Sequence, residues 1–213
     1  MSSSNAPAWR PEVPAGYTGP RIALIHGFLA GSHMQRHLLR FLRDAGYADS
    51  TLYSNHRASS AIARELAPAA AQGRAIVLVG YSQGGFQVMK VARALEQAGV
   101  PVALLVSLAA GGVGRWHPAQ WRFDPRHLPA NVQRCLNAFS LLDRMGSDRS
   151  RERNLVRHNG RAELLENICF PAGLGVDHVA IARCYPEARV HRAVREQLLD
   201  RVLSELCRVA PDS

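Results

Sequence analysis

A three-layer α/β domain, with a mostly parallel central sheet covered by helices on both faces, is the fold class this sequence predicts. Short runs that are apolar at every position alternate with longer stretches whose apolar residues recur at helical spacing. One of the apolar runs ends in a serine flanked by glycines and passes at once into a helical pattern. A strand that is apolar throughout must be covered on both faces, which is the situation of a strand inside a parallel sheet. Crossovers between such strands are expected to be right-handed.

Residues 22–25 are the first apolar run, ending at His26-Gly27. Met34, Leu38, Leu39, Phe41, Leu42 and Ala45 then fall on one helical face, and Gly46 closes it. Residues 51–54 predict a short strand, and 58–71 a helix despite Pro68. Residues 75–79 form a buried strand ending at Gly80, and 86–98 return to helical periodicity before Gly99. Residues 102–108 are the next strand and lead into a loop at 109–114. Residues 115–129, with two tryptophans and three prolines, read as irregular. Residues 132–139 and 164–170 are further strands. Val190, Val194, Leu198, Leu199, Val202, Leu203 and Leu206 mark one face of a terminal helix. The organisation is a single domain over 21–213, preceded by an arm at 1–20 whose serines and prolines favour a flexible or extended chain. Residues 111–133 are the one stretch available for a short cap, with Trp116, Trp121 and Phe123 available to line a pocket or to pack onto the core.

Composition narrows the class. The chain has 213 residues, 47% hydrophobic and 20% charged, which suits one soluble domain with an adequate core. No basic segment followed by an apolar one marks a signal peptide at the N-terminus, and no apolar run reaches membrane-spanning length, so a cytoplasmic location follows by default. Cys135, Cys169, Cys184 and Cys207 form no CxxC pair, which gives redox or zinc chemistry little support. The formal charge is +9, almost all of it arginine, since Lys90 is the only lysine. That charge is scattered except over 144–161. There Asp148 and Glu152 interrupt the run, so a solvated face is favoured over a docking patch for an acidic carrier, cofactor or nucleic acid. No nucleic-acid partner is expected.

The segment that carries chemistry runs from Val77 to Gly85 and reads VLVGYSQGG. It sets G-x-S-x-G between a strand and a helix, the context in which the motif has a meaning. A serine there sits on a sharp turn with its hydroxyl outside the carboxyl end of the sheet. The helix that follows directs its first backbone N–H groups toward developing negative charge. No GK[ST] follows and the spacing is not GxGxxG, so neither phosphate-binding loop fits.

Residues 22–28 (IALIHGF), 78–85 (LVGYSQGG) and 175–182 (GVDHVAIA) together resemble the three landmark segments of the α/β-hydrolase family, in that family's order. The version here is similar to small lipase/esterase-like and thioesterase-like members. The resemblance implies a serine hydrolase with Ser82 as nucleophile and His178 as general base. It implies an oxyanion site built from the backbone N–H of Gln83 and that of Phe28. The acid is expected after the strand that follows 102–108, which points to Asp143, with Asp148 as runner-up and Asp124 and Asp177 behind. Asp177 adjoins His178 and would usually point away from its ring. His26 reads as structural. His33 and His37 lie on one helix face but lack an acidic third ligand, so no metal is expected. His117, His127 and His158 read as surface or lid residues, and His191 falls on the terminal helix. The reaction implied is hydrolysis of a carboxylic ester through an acyl-enzyme, with no metal or organic cofactor. Two alternatives remain. One is a thioesterase or acyl-transfer enzyme acting on an acyl-CoA or acyl-carrier substrate, and the other is a non-catalytic binding protein on the same scaffold.

Overall fold

A computed structural model of the chain describes residues 12–116, 120–121 and 123–210. Residues 1–11 of the N-terminal arm, and His117 among the lid candidates, lie outside them. Six strands form one sheet: β1 (Arg21–His26), β2 (Ser50–Ser54), β3 (Ile76–Tyr81), β4 (Leu104–Leu108), β5 (Arg134–Ser140) and β6 (Leu164–Phe170). Their order is β2-β1-β3-β4-β5-β6, and every pairing is parallel. The reversal of direction in strand order falls at β1 and β3, so the loops leaving those two strands flank a crevice at the carboxyl edge.

Alternate residues along each strand serve opposite layers, as the pleat requires. Leu24, Val79, Val106 and Leu136 pack toward Met34, Leu38 and Leu42 and toward Leu199, Val202 and Leu206. The first three of those helical residues belong to α1 (Gly31–Met34), the π turn Gln35–Leu39 and α2 (Arg40–Asp44), which run on without a break. Ala23, Ile25, Leu78 and Leu105 pack on the other face against Ile62, Leu66, Val88 and Leu95. These lie on α3 (Ser59–Ala71) and α4 (Gln83–Gln97). Past the short α5 (Arg151–Asn154), the chain ends in α6 (Arg192–Val194), a second π turn (Arg195–Leu199) and α7 (Asp200–Val209). The three-layer expectation therefore holds.

Pro68 sits on the exposed side of α3, within its last turn. An interior proline costs a helix about 3 kcal/mol, and each fully buried aliphatic such as Ile62 or Leu66 returns about 1.5–3 kcal/mol. Burial of that face therefore outweighs the proline, and the carbonyl left without a donor can turn to water. At the amino edge of the sheet, buried Arg21 donates to Thr51 Oγ1 at 2.8 Å and to Tyr53 Oη at 2.9 Å, and lies 3.3 Å from the Asp49 carboxylate. Arg74 binds the other oxygen of Asp49 at 2.6 Å and Gly19 O at 2.8 Å, tying the described end of the N-terminal arm to the sheet. All four cysteines are free. Among the described residues no helix is long and apolar enough to cross a membrane.

Candidate active site

β3 ends in a sharp turn. Ser82 adopts φ 57° and ψ −124°, a left-handed conformation that costs a residue with a Cβ of order 1–3 kcal/mol. The turn is held from both sides: Ser82 N–H donates to Leu108 O at the end of β4 at 2.8 Å, and Gly85 N–H to Ser82 O at 2.9 Å. Glycine is obligatory on either side of the serine. A Cβ at position 80 would stand 2.4 Å from Gly84 O, and one at position 84 would stand 1.9 Å from Ile25 O. The strand and helix can approach this closely only without side chains, which is why α4 starts at Gln83, three residues before the apolar periodicity begins.

The loop after β6 brings His178 to the same place. Its Nδ1 lies 2.6 Å from Asp143 Oδ2. Asp143 follows β5 and is buried, and its Oδ1 accepts from the N–H groups of Met145 and Gly146, both at 2.9 Å. A carboxylate that accepts at both oxygens faces His178 with an acceptor, which assigns the proton of the neutral imidazole to Nδ1 and leaves Nε2 with a lone pair. The two loops are stitched together by Ser140, whose Oγ donates to Val176 O at 2.6 Å.

The other acidic candidates are engaged elsewhere. Asp148 takes a 2.6 Å hydrogen bond from Arg115 Nε. Asp124 is clamped by Arg126, whose hydrogen bonds hold its carboxyl down at about 2. Asp177 is exposed and its Oδ1 accepts from Ala180 N–H at 2.7 Å, closing the turn after His178. Among the remaining histidines, His26 Nδ1 lies 2.7 Å from Gly27 O, His127 pairs with Asp124, His158 closes its own loop, and His191 caps α6. Burial pushes the thiols of Cys135 and Cys184 up to about 12, far from a reactive thiolate.

Ser82, Gln83 and His178 line a cavity of about 560 Å³ together with Phe28, Leu29, Val113, Met145 and Val179. Its walls are mainly apolar. The aromatic residues at 116, 121 and 123 do not contribute, which corrects the expectation that they could line the site. Phe123 packs onto the core beneath Lys90 and Arg93, at 5.0 and 4.6 Å from its ring centre. Trp116 borders a neighbouring cleft, and Trp121 is exposed with its Nε1–H on Trp116 O at 3.2 Å. The packing alternative for these aromatics therefore describes Phe123 alone. Of the 111–133 stretch, Val113 and Gly114 border this cavity, and Gly114 O accepts from the Gln83 side chain at 2.8 Å.

Two contributors escaped the sequence reading. The Tyr81 ring stacks on His178 with centres 4.9 Å apart, and its hydroxyl donates to His178 O at 2.7 Å. Burial raises the Tyr81 pKa above its ordinary value, so the phenol stays a neutral donor. His37, taken only as a possible ligand, instead accepts at Nδ1 from Tyr185 N–H at 3.2 Å and Cys184 N–H at 3.4 Å, in the segment following His178. His33 meets it edge to face, with ring centres 4.3 Å apart, and also lines the cavity. Among the described residues no group of three or more His, Cys, Asp or Glu could hold a metal ion.

Desolvation lowers the His37 pKa to about 4, with His33, Arg183 and Arg36 adding repulsion. The unfolded chain would bind this proton near pH 6.5 and the folded chain only near pH 4, so stability is lost as pH falls across that window. Wild type should therefore lose Tm between about pH 6.5 and pH 4 more steeply than His37→Asn, whose amide accepts but does not titrate. Parallel Tm–pH curves for the two proteins would remove His37 as the cause.

Neither a family model nor a curated protein matches this sequence. Solved structures do match in shape. An esterase from Pyrobaculum calidifontis superposes with TM-score 0.55 at 14% identity, over 95% of this chain and 80% of its own. An α/β serine hydrolase without a lid from Xanthomonas campestris gives TM-score 0.51 at 16% identity, over 94% and 87%. Human thioesterase 2 gives TM-score 0.51 at 12% identity, over 91% and 99%.

Proposed function

The chain has the α/β-hydrolase fold, and on that premise we propose that it is a serine hydrolase cleaving carboxylic esters through an acyl-enzyme. The observation that carries this reading is the bond from buried Asp143 to His178, which lines one cavity with Ser82 on its left-handed turn. A hydroxyl becomes an effective nucleophile only when a base accepts its proton, and the Nδ1–H tautomer keeps Nε2 free to be that base. Ser82 Oγ attacks the carbonyl carbon as His178 Nε2 takes its proton. The resulting oxyanion is received by the N–H of Gln83, first residue of α4, and that of Phe28. The collapse of this intermediate expels the alcohol, protonated by His178. Water then repeats the sequence on the acyl-enzyme and regenerates Ser82. Two fixed donors of this kind are together worth several kcal/mol, since removing one typically costs about 2.7–4 kcal/mol of barrier.

The apolar walls contributed by Phe28, Leu29, Val113, Met145 and Val179 suit an acyl chain. The likeness to human thioesterase 2 keeps a thioester in view, since the same residues would perform the same chemistry on one. A fluorophosphonate probe tests the reading directly. Wild type should be labelled stoichiometrically and should hydrolyse a short p-nitrophenyl ester, and Ser82→Ala should do neither. A folded wild type that neither labels nor turns over either a p-nitrophenyl ester or an acyl-CoA would leave a binding protein on a hydrolase scaffold.

A further inference from the structure

We propose that the rim of the catalytic cavity is a docking surface for an anionic lipid bilayer. The first observation is where the exposed apolar side chains lie. Among the described residues nine large hydrophobic side chains are exposed, and all nine come from loops that leave the carboxyl ends of β1, β4, β5 and β6. The most exposed are Leu29 at 101%, Trp116 at 79%, Trp121 at 68%, Met145 at 65% and Val113 at 61%. Elsewhere among the described residues, large apolar side chains are at least partly covered. Single exposed hydrophobics are ordinary on a soluble protein, but confinement of all nine to loops at one end of the sheet, five of them lining one cavity, marks a surface that meets an apolar phase. Leu29 is held out at φ 52°, a conformation leucine rarely takes, and gains no packing there.

The second observation is charge. Val113 is shared between the catalytic cavity and a neighbouring cleft of about 820 Å³, bordered by Trp116, Arg144, Arg149 and Arg153. The one acid on that cleft, Asp148, is already bound by Arg115. The three cleft arginines are exposed and form no ion pair with any described residue. Apolar side chains that can enter the acyl region, beside guanidiniums that can meet phosphate, match the layered chemistry of a bilayer surface. A protein partner would need apolar partners opposite every rim residue and an acidic patch opposite the arginines, whereas anionic lipid supplies both in any orientation of the loops. The arginine stretch read from sequence as a solvated face thus acquires a partner, and the cavity would open directly onto acyl chains. This docking does not depend on catalysis.

The test uses the full chain carrying Ser82→Ala, so that vesicles stay intact, in co-sedimentation with phosphatidylcholine vesicles and with vesicles containing phosphatidylglycerol as well. Binding to the anionic vesicles should exceed binding to the neutral ones and should weaken with salt, with the tryptophan emission shifting to the blue. Arg144→Gln/Arg149→Gln/Arg153→Gln should weaken it by about fivefold per arginine. Leu29→Asp/Trp116→Asp should abolish it; both side chains are exposed, and unchanged Tm will verify folding. Absence of vesicle binding would overturn the proposal, as would equal binding to both compositions or binding unaffected by Leu29→Asp/Trp116→Asp. A dimer in solution that those substitutions dissociate, without vesicle binding, would assign the rim to a second copy of the chain instead. Because the binding variant is inert, these outcomes stand apart from the fluorophosphonate result.

Discussion

Ser82→Ala and His178→Ala should each lower kcat for a soluble ester by about six orders of magnitude, and the double variant should be no worse than either alone. The expectation follows from the order of events. Without a base at Nε2, Ser82 is a neutral alcohol with negligible reactivity, and without Ser82 the imidazole has no proton to accept. Removing one member therefore removes what the other contributes, and the two losses cannot multiply. A residual rate of about 10³–10⁴ over water should survive in all three proteins, because the N–H groups of Gln83 and Phe28 and the apolar cavity are untouched. The measurement is single-turnover kinetics on the four proteins, each purified in isolation so that trace wild type cannot supply the residual. A double variant whose loss equals the product of the single losses would mean that Ser82 and His178 act in separate steps. Undiminished turnover in Ser82→Ala would place the nucleophile elsewhere.

Much of the architecture was legible because β1, β3 and β4 are buried almost throughout, and a nearly continuous apolar run leaves few alternatives. The element ends were less so. Gln83, Gly84 and Gly85 carry no periodic apolar signal, yet they are helical because α4 must begin directly behind Ser82. At the start of β5, Val132 bridges Val102 outside the continuous ladder, so the strand proper begins at Arg134. Of the site, Ser82 was legible from its glycines, whose spacing is a steric requirement of the turn. His178 and Asp143 were expected only through the family resemblance, since nothing local distinguishes Asp143 from Asp148. What separates them is whether the carboxylate turns toward the β6 loop or toward Arg115, a matter of tertiary contact. The roles of Tyr81 and His37 left no trace for the same reason: each acts through a neighbour far away in sequence. The aromatic pattern over 115–129 misled because aromatic content reports burial somewhere, without reporting in which pocket.

Asp143→Asn should lower kcat by about 10⁴ while leaving Tm nearly unchanged, and Asp148→Asn should leave kcat at the wild-type value. The asparagine can keep Oδ1 where Met145 and Gly146 donate to it, so the turn after β5 has no reason to move. Its amide NH₂ then replaces the oxygen that lies 2.6 Å from His178 Nδ1. A donor in that position forces Nδ1 to become the acceptor, and the ring proton shifts to Nε2. The imidazole now presents a hydrogen to Ser82 where it must present a lone pair, so the base is blocked with the geometry intact. Asp143→Ala would be a poorer experiment, because it also removes the two bonds that hold the turn and mixes a folding effect into the rate. Asp148 tests the assignment from the other side. Its carboxylate serves Arg115 at 2.6 Å, so Asp148→Asn weakens a partly buried ion pair and leaves His178 alone. Fluorophosphonate labelling rates should fall in parallel with kcat for Asp143→Asn, since both reactions need the same deprotonated Oγ. Full labelling of Asp143→Asn at the wild-type rate would mean that the His178 tautomer is set by another group.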